Sequence, residues 1–169
     1  ITILKNWRPI TILNSKYKLL SACFTNRLKL VVDKIVGTRQ KGFSSKRRAH
    51  EVIINLAGYA KKIIDGNKNG CIISFDFAQA FDTVDHKYIR EVFKLYGFPD
   101  FMVNMLQTMI SGRNARIIDD FNKLSVPFEI GRGVPQGDLH SPLTFIIAIS
   151  PLLAELEWSK IAESPIDGP

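Results

Sequence analysis

The chain has 169 residues, 46% of them hydrophobic and 23% charged, which suits one globular domain with a real core or a substantial piece of a larger one. No apolar run approaches the roughly 20 residues of a membrane-crossing helix, and ITILKNWRPI at the N-terminus lacks the pattern of a secretory signal. Cys23 and Cys71 have neither zinc-ligand spacing nor the density of a disulfide framework, so a transmembrane protein and a secreted disulfide scaffold are both set aside and a reducing, intracellular setting is expected. The net charge of +7 is unevenly placed: residues 1–66 carry 14 Lys and Arg against 3 Asp and Glu, and the remaining residues carry 9 against 13. A basic first third beside an acidic remainder points to one region that meets a polyanion and another that holds cations, or else to solvated charged faces on ordinary helices. Ile1 opens the chain inside an apolar stretch, and an internal excerpt of a longer protein is expected.

In chain order, residues 14–37 predict a helix, with Tyr17, Leu20, Phe24, Leu28, Val31 and Ile35 at steps of three and four. Asn14 or Ser15 suits its start, and Gly37 suits a left-handed end. A second helix is predicted from about Lys46 to Ile64, capped by Ser44 or Ser45, with Ala49, Val52, Leu56, Ala60 and Ile63 on one face and Gly66 as its stop. After the turn GNKNG, the short apolar run CIISFDF (71–77) predicts a buried strand. A helix over Asp82 to Tyr96 follows, then a shorter one from about Pro99 to Ile110 that stops at Ser111-Gly112. The stretches 115–118 and 125–130 predict a hairpin whose turn contains Asp119-Asp120, a pair better suited to local backbone bonding than to a metal. The loop GRGVPQGD (131–138) leads into an apolar helix from Ser141, with Pro142 at the favoured first position and Pro151 expected to kink or interrupt it. Helices alternating with short strands imply the α/β or α+β class.

Three places carry candidate chemistry. Asp76 points to the face opposite Phe75 and Phe77, and a carboxylate leaving a buried strand needs a cation or strong donors, unless it simply holds the last exposed position. Asp82 and Asp85 suit a helix start, where carboxylates accept from free amides. In the second place, Gly131, Gly133 and Gly137 let backbone approach a ligand, and Gln136 can pair with a base, a sugar or backbone. In the third, Lys41, Lys46, Arg47 and Arg48 cluster at a helix start, where the dipole disfavours them, so either an incoming phosphate or a solvated turn accounts for them.

Taken together, these elements resemble the reverse transcriptase domain of non-LTR (LINE-type) retrotransposons. NWRPITILNSKYKLLSACFTNRL resembles the family's N-terminal finger motif and QKGFSSKR its Q-x-G-F motif. FDFAQAFDTVDH resembles polymerase motif A, and GVPQGDLHSPLTF resembles motif B, which usually reads Q-G-x-x-L-S-P-L-L-F. The resemblance covers nearly the whole chain and implies a right-hand polymerase fold of the α+β class, comprising fingers and a partial palm with helices packed on a small sheet. Residues 1 to about 70 would be fingers-like and 71–169 palm-like. It implies an RNA-directed DNA polymerase that copies RNA into DNA by nucleotidyl transfer with two Mg²⁺ ions, or Mn²⁺ in their place.

By the same resemblance, Asp76 is the catalytic metal ligand, helped by the Phe77 carbonyl, and Phe81 is a steric gate that rejects a 2′-hydroxyl. Amides near Gln79 and Ala80 would meet the triphosphate, and Gln136 and Gly137 would line the nucleotide and template side. Arg8 and Arg47 are implied phosphate contacts from the fingers, while Gln40, Lys41, Phe43, Lys46 and Arg48 are implied on the template side. The implied partners are an RNA template, a DNA primer, dNTPs, and the remaining palm, thumb and endonuclease domain of a parent polyprotein, with no membrane. Nucleus and cytoplasm are the implied compartments.

The sequence departs from the family pattern in three ways. Gln79 replaces the usual Lys, at a position expected to act through its amide. Asp138 and His140 alter motif B next to Gln136-Gly137, with an expected effect on template grip. The aromatic-x-Asp-Asp of motif C does not follow motif B, so the excerpt by itself is expected not to polymerise. The alternatives are a non-catalytic nucleic-acid-binding remnant of a retroelement and a phosphatase-like hydrolase with Asp76 as nucleophile.

Overall fold

A computed structural model describes residues 11–38, 40–43, 47–67, 69–118 and 121–158. The elements in order are α1 (Ser15–Ile35), α2 (Ala49–Asp65), α3 (Ala80–Thr83), α4 (His86–Leu95), α5 (Asp100–Ile110), β1 (Arg113–Ala115), β2 (Phe128–Ile130) and α6 (Ser141–Trp158). Arg113, Asn114 and Ala115 face Ile130, Glu129 and Phe128 in an antiparallel pair, and an isolated Ile118–Leu124 bridge extends the hairpin. Helices with a small sheet make this an α+β arrangement. The core lies between helices, however: α6 packs on α1 and α4, and α4 on α5. The small sheet is a peripheral hairpin, with Phe128 and Glu129 exposed, and the helices do not pack on it as a layer.

Phe24 and Leu28 of α1, Ile89 and Phe93 of α4, Leu106 and Ile110 of α5, and Ile147 of α6 are sealed from solvent. Full burial of each such side chain stabilises the fold by about 1.5–3 kcal/mol. Helix α1 therefore shares one core with α4, α5 and α6, across the sequence position near residue 70. Asn14 caps α1 as its side chain suggests, accepting from the Lys16 amide at 2.9 Å. Its far end differs from expectation, because Val36 turns extended (φ −86°, ψ 124°) and no left-handed Gly37 is needed.

The structure revises three further expectations. Residues 71–77 have no regular secondary structure and form no strand, and Ile73 and Phe75 are 69% and 85% exposed. An apolar run becomes a buried strand only when neighbouring strands take its amides and carbonyls, and no described residue pairs with it. The helix expected over 82–96 is broken into α3 and α4 at Val84, whose carbonyl accepts from the Gly133 amide at 2.8 Å. Asp85 then restarts the helix as a cap, accepting from the Lys87 and Tyr88 amides at 2.7 and 3.1 Å. Finally, of the kink or interruption expected at Pro151, the interruption does not occur, since α6 runs on to Trp158. The proline leaves the Ile147 carbonyl without its usual partner, and the Ser150 hydroxyl donates to it at 2.7 Å.

Helix α2 begins at Ala49 rather than near Lys46, and Ser44 and Ser45 lie outside the described residues. Gly66 follows its last turn as expected. None of the α2 residues is buried; Val52, Ile53 and Leu56 stay 47%, 69% and 45% exposed. No described helix is long and apolar enough to cross a membrane.

Candidate active site

Asp76 lies on the irregular run 71–77 and is exposed. Beyond it, Gln79 takes a left-handed conformation (φ 54°, ψ 44°), so the chain turns sharply and α3 begins at Ala80. The Gln79 carbonyl closes the turn, accepting from the Asp82 amide at 2.9 Å and the Thr83 amide at 3.2 Å. Two aromatic rings of this segment lean on Phe145 of α6. Phe77 meets it edge-on at 6.4 Å between ring centres, and Phe81 lies tilted over it at 5.0 Å. Aromatic pairs of this kind contribute about 0.5–1.5 kcal/mol beyond their buried area. Phe145 closes the motif GVPQGDLHSPLTF, and its only signal in the sequence is an aromatic one turn into the following helix.

The glycine-rich loop docks directly on this turn. Gly133 has φ 77°, and a Cβ there would stand 2.7 Å from both the Asp82 Cα and the Phe81 carbonyl oxygen. Only glycine permits that approach. Around it the Val134 amide donates to the Phe81 carbonyl at 2.7 Å, and Asp85 bridges antiparallel to Arg132. The Gly133 carbonyl accepts from Arg113 at 2.9 Å and lies 2.8 Å from His86 Nε2. Gln136 donates through Nε2 to Asp82 at 2.9 Å, while its carbonyl accepts from the Thr11 amide at 3.0 Å. Gly131, by contrast, would meet nothing if it carried a Cβ, so its small size is not needed for the approach. Phe81, Asp82, Gln136 and Gly137 are thus brought into one place from segments some fifty residues apart.

Beside this loop lies a buried carboxylate. Asp138 is 4% exposed and His140 is fully buried. Burial pushes the Asp138 carboxyl up, but the adjacent His140 ring and the hydrogen bonds from the Ser21 and Tyr17 hydroxyls outweigh it and hold the group at about 2. Burial, and next the hydrogen bond to Asp138, push the Tyr17 hydroxyl well above its ordinary range. The backbone amides of Tyr88 and Lys87 hold Asp85 below the usual carboxylate range.

The basic segment is differently engaged. The Arg47 guanidinium donates to the Asp33, Val36 and Gln40 carbonyls at 3.3, 3.3 and 3.0 Å, and also to that of Gly37, so it caps the negative end of α1. Sequence reasoning missed this structural task, because the carbonyls it serves only become free where α1 ends. Lys41 pairs with Glu51 at 3.0 Å, and that contact holds Glu51 below its ordinary range. Gln40 stays near its own turn, 3.5 Å from the Gly42 carbonyl. Phe43 is left-handed (φ 57°) and 58% exposed, and Arg48 is exposed at the start of α2. Arg8, Lys46 and the Asp119-Asp120 pair lie outside the described residues.

Among the described residues no three His, Cys, Asp or Glu side chains converge on a metal position. Asp76 and the Phe77 carbonyl fit a hard divalent ion in kind, as accessible oxygen donors, but do not make a complete cage.

Residues 3–162 match the family described as reverse transcriptase (RNA-dependent DNA polymerase). The chain is 29% identical over 159 residues to the transposon TX1 uncharacterized 149 kDa protein of Xenopus laevis, covering 92% of this chain and 12% of that protein. It is 30% identical over 155 residues to a retrovirus-related Pol polyprotein from the type-1 retrotransposable element R2 of Popillia japonica, covering 90% of this chain and 21% of that one. Similarity to a probable RNA-directed DNA polymerase from transposon BS of Drosophila melanogaster is 29% over 146 residues, or 85% of this chain and 16% of the relative. The chain thus spans roughly a fifth or less of the curated relatives named here, all of them proteins of transposable elements. With the match running through both docked motifs, the chain belongs to the reverse transcriptase family, in the company of non-LTR retrotransposon proteins.

Proposed function

We propose that this chain is the fingers-like (about 1–70) and partial palm-like (71–169) portion of an RNA-directed DNA polymerase that builds DNA on an RNA template from dNTPs. The observation that carries the reading is the docking of the Gly133–Gln136 loop on Phe81 and Asp82, which unites the two motifs a nucleotide would lie between. Asp76 and the Phe77 carbonyl would hold Mg²⁺, or Mn²⁺ in its place. Such ions supply charge stabilisation at the attacking 3′-oxygen and the departing pyrophosphate.

The chain's own residues supply position. Gln79 and Ala80 present backbone amides to the triphosphate at a turn held by three bonds to the Gln79 carbonyl. Phe81, propped by Phe145, offers a ring edge under the sugar, where a 2′-hydroxyl would collide. Gln136 and Gly137 form the template side of the pocket. Because nucleotidyl transfer depends mainly on in-line placement, a rigid docked loop is the main contribution of this part of the molecule. Gln40, Lys41, Phe43, Lys46 and Arg48 would face the nucleic acid, with Arg8 and Arg47 toward the nucleotide phosphates. Arg47 would do so only by leaving the end of α1. The remaining palm, a thumb and an endonuclease domain would complete the parent polyprotein.

The test is primer extension on an RNA template by the full-length polypeptide carrying Asp76→Asn. The expected result is a fall in kcat on the order of 10²–10³, the scale for losing one electrostatic stabiliser. Extension at the unaltered rate would remove Asp76 from the chemistry, whereas no extension by the unmutated polypeptide, with RNA binding retained, would favour a non-catalytic nucleic-acid-binding remnant.

A further inference from the structure

Gln136 and Gly137 are the two central residues of a four-residue turn. The Asp138 amide donates back to the Pro135 carbonyl at 3.2 Å, and Gly137 has φ 97°, the positive angle that the third position of a type II turn demands. The turn therefore ends on Asp138, and whatever holds Asp138 sets the tilt of the 136–137 peptide. What holds it comes from two other parts of the chain. Tyr17 of α1 donates its hydroxyl to Oδ2 at 2.6 Å, and Ser21, one turn further along α1, donates to Oδ1. His140 Nε2 stands 3.3 Å from Oδ2, and in this orientation makes no aligned hydrogen bond. His140 occupies the position where the resembled motif has leucine. Its other ring nitrogen, Nδ1, lies 3.1 Å from the Thr144 hydroxyl, and its ring meets Phe24 edge-on at 6.0 Å. With Thr144 donating to Nδ1, a neutral imidazole carries its proton on Nε2, the atom next to Asp138. The Arg113 guanidinium adds its positive field to the same group while bonded to the Ile110 and Gly133 carbonyls.

A buried carboxylate is retained only where donors converge on it. Here they converge from one helix onto the last residue of a functional turn. We propose that Asp138 is a positioning residue for the Gln136–Gly137 turn: α1 grips the turn through Tyr17, Ser21 and the Asp138 carboxylate, and His140 closes the grip from the α6 side. Asp138, at a position the quoted motif leaves open, and His140, in place of its leucine, are then one paired device. Helix α1, which touches no proposed substrate atom, sets the register of the pocket's template side. The inference rests on the proposed role of Gln136 and Gly137 at the nucleotide.

The experiment is steady-state primer extension by the full-length polypeptide on an RNA template, with KM for the deoxynucleotide, kcat and the melting temperature followed together. Asp138→Asn is expected to raise KM about tenfold, with kcat changed less. Tyr17→Phe, which leaves the Ser21 donor and the adjacent His140 ring in place, is expected to raise it about threefold. Asp138→Asn combined with Gln136→Ala should be no worse than the stronger single change, because both act through one turn. A lower melting temperature with unchanged KM in the folded variants would make the network merely structural and overturn the proposal. So would additive losses in the double variant. If Asp138→Asn does not fold, Tyr17→Phe decides by the same readout. Gln136→Ala with no effect would remove the site reading itself, and the proposal with it. An effect of Gln136→Ala beside inert Asp138→Asn and Tyr17→Phe removes the proposal alone.

Discussion

Helices α1 and α2 carry the same kind of periodic apolar face, yet one is covered and the other is bare. Phe24, Leu28 and Val32 of α1 are buried, whereas no residue of α2 is: Val52 and Leu56 are exposed, and Tyr59, Ala60 and Ile63 are only half-buried. Periodicity states which side of a helix will seek an apolar partner; it does not supply one. In α1 the partner is the apolar helix α6, and the face is further locked by Tyr17 and Ser21 on Asp138. In α2 the Lys41–Glu51 ion pair and the approach of Ile63 to Gly70 stand where α1 has a buried core.

That contrast can be broken most forcefully by truncation. Phe24→Ala is expected to destabilise the protein by about 3–5 kcal/mol in urea unfolding, and Leu56→Ala by less than about 1. Equal losses would mean that α2 is covered in solution. Gly133→Ala should cost about 2–4 kcal/mol, from a positive φ and from overlap with Asp82 and Phe81 backbone, with primer extension lost in parallel.

The Asp138 lock sharpens the comparison through pH. Its carboxyl is held at about 2 in the fold, against about 3.9 when unfolded. Its contribution is therefore complete above pH 5 and lost as pH falls from about 5 toward 2, an effect on the order of 1–2 kcal/mol. Asp138→Asn should flatten this acid limb of the stability curve in part, since Asp85, also held low, titrates below its ordinary range as well. An unchanged limb would remove the lock as a source of stability. The smallest effect belongs to α2: at Gly58 a Cβ would meet nothing, so Gly58→Ala should stabilise by about 0.5–1 kcal/mol, a gain in melting temperature. A loss instead would reveal a neighbour pressed against that face.

Much of the local structure was legible in the residues. The Asn14 cap, the Asp85 cap and the stop of α5 before Gly112 follow from side-chain chemistry that acts within four residues. The docking glycine loop was visible as composition, and its importance through the family resemblance. What escaped was set by distant partners. The break at Val84 exists because Gly133, remote in sequence, takes its carbonyl, and the Arg47 cap because α1 ends where it does. Residues 71–77 have the composition of a strand, but strand formation depends on edges that composition cannot name. Of the candidate site, Phe81, Gln136 and Gly137 were named in advance. Phe145 and the Tyr17–Ser21–Asp138 grip were not, because their significance lies in what they touch.

Phe145 carries a consequence for how such a chain can vary. Two rings lean on it, that of Phe77 next to Asp76 and that of Phe81 on α3. A change in its size or tilt moves both at once, so the stance of the exposed carboxylate and that of the aromatic ring five residues on are inherited as a pair. Lineages that reshape position 145 must reconcile two adjustments with one substitution, and viable variants there should arrive with compensating changes at 77 or 81.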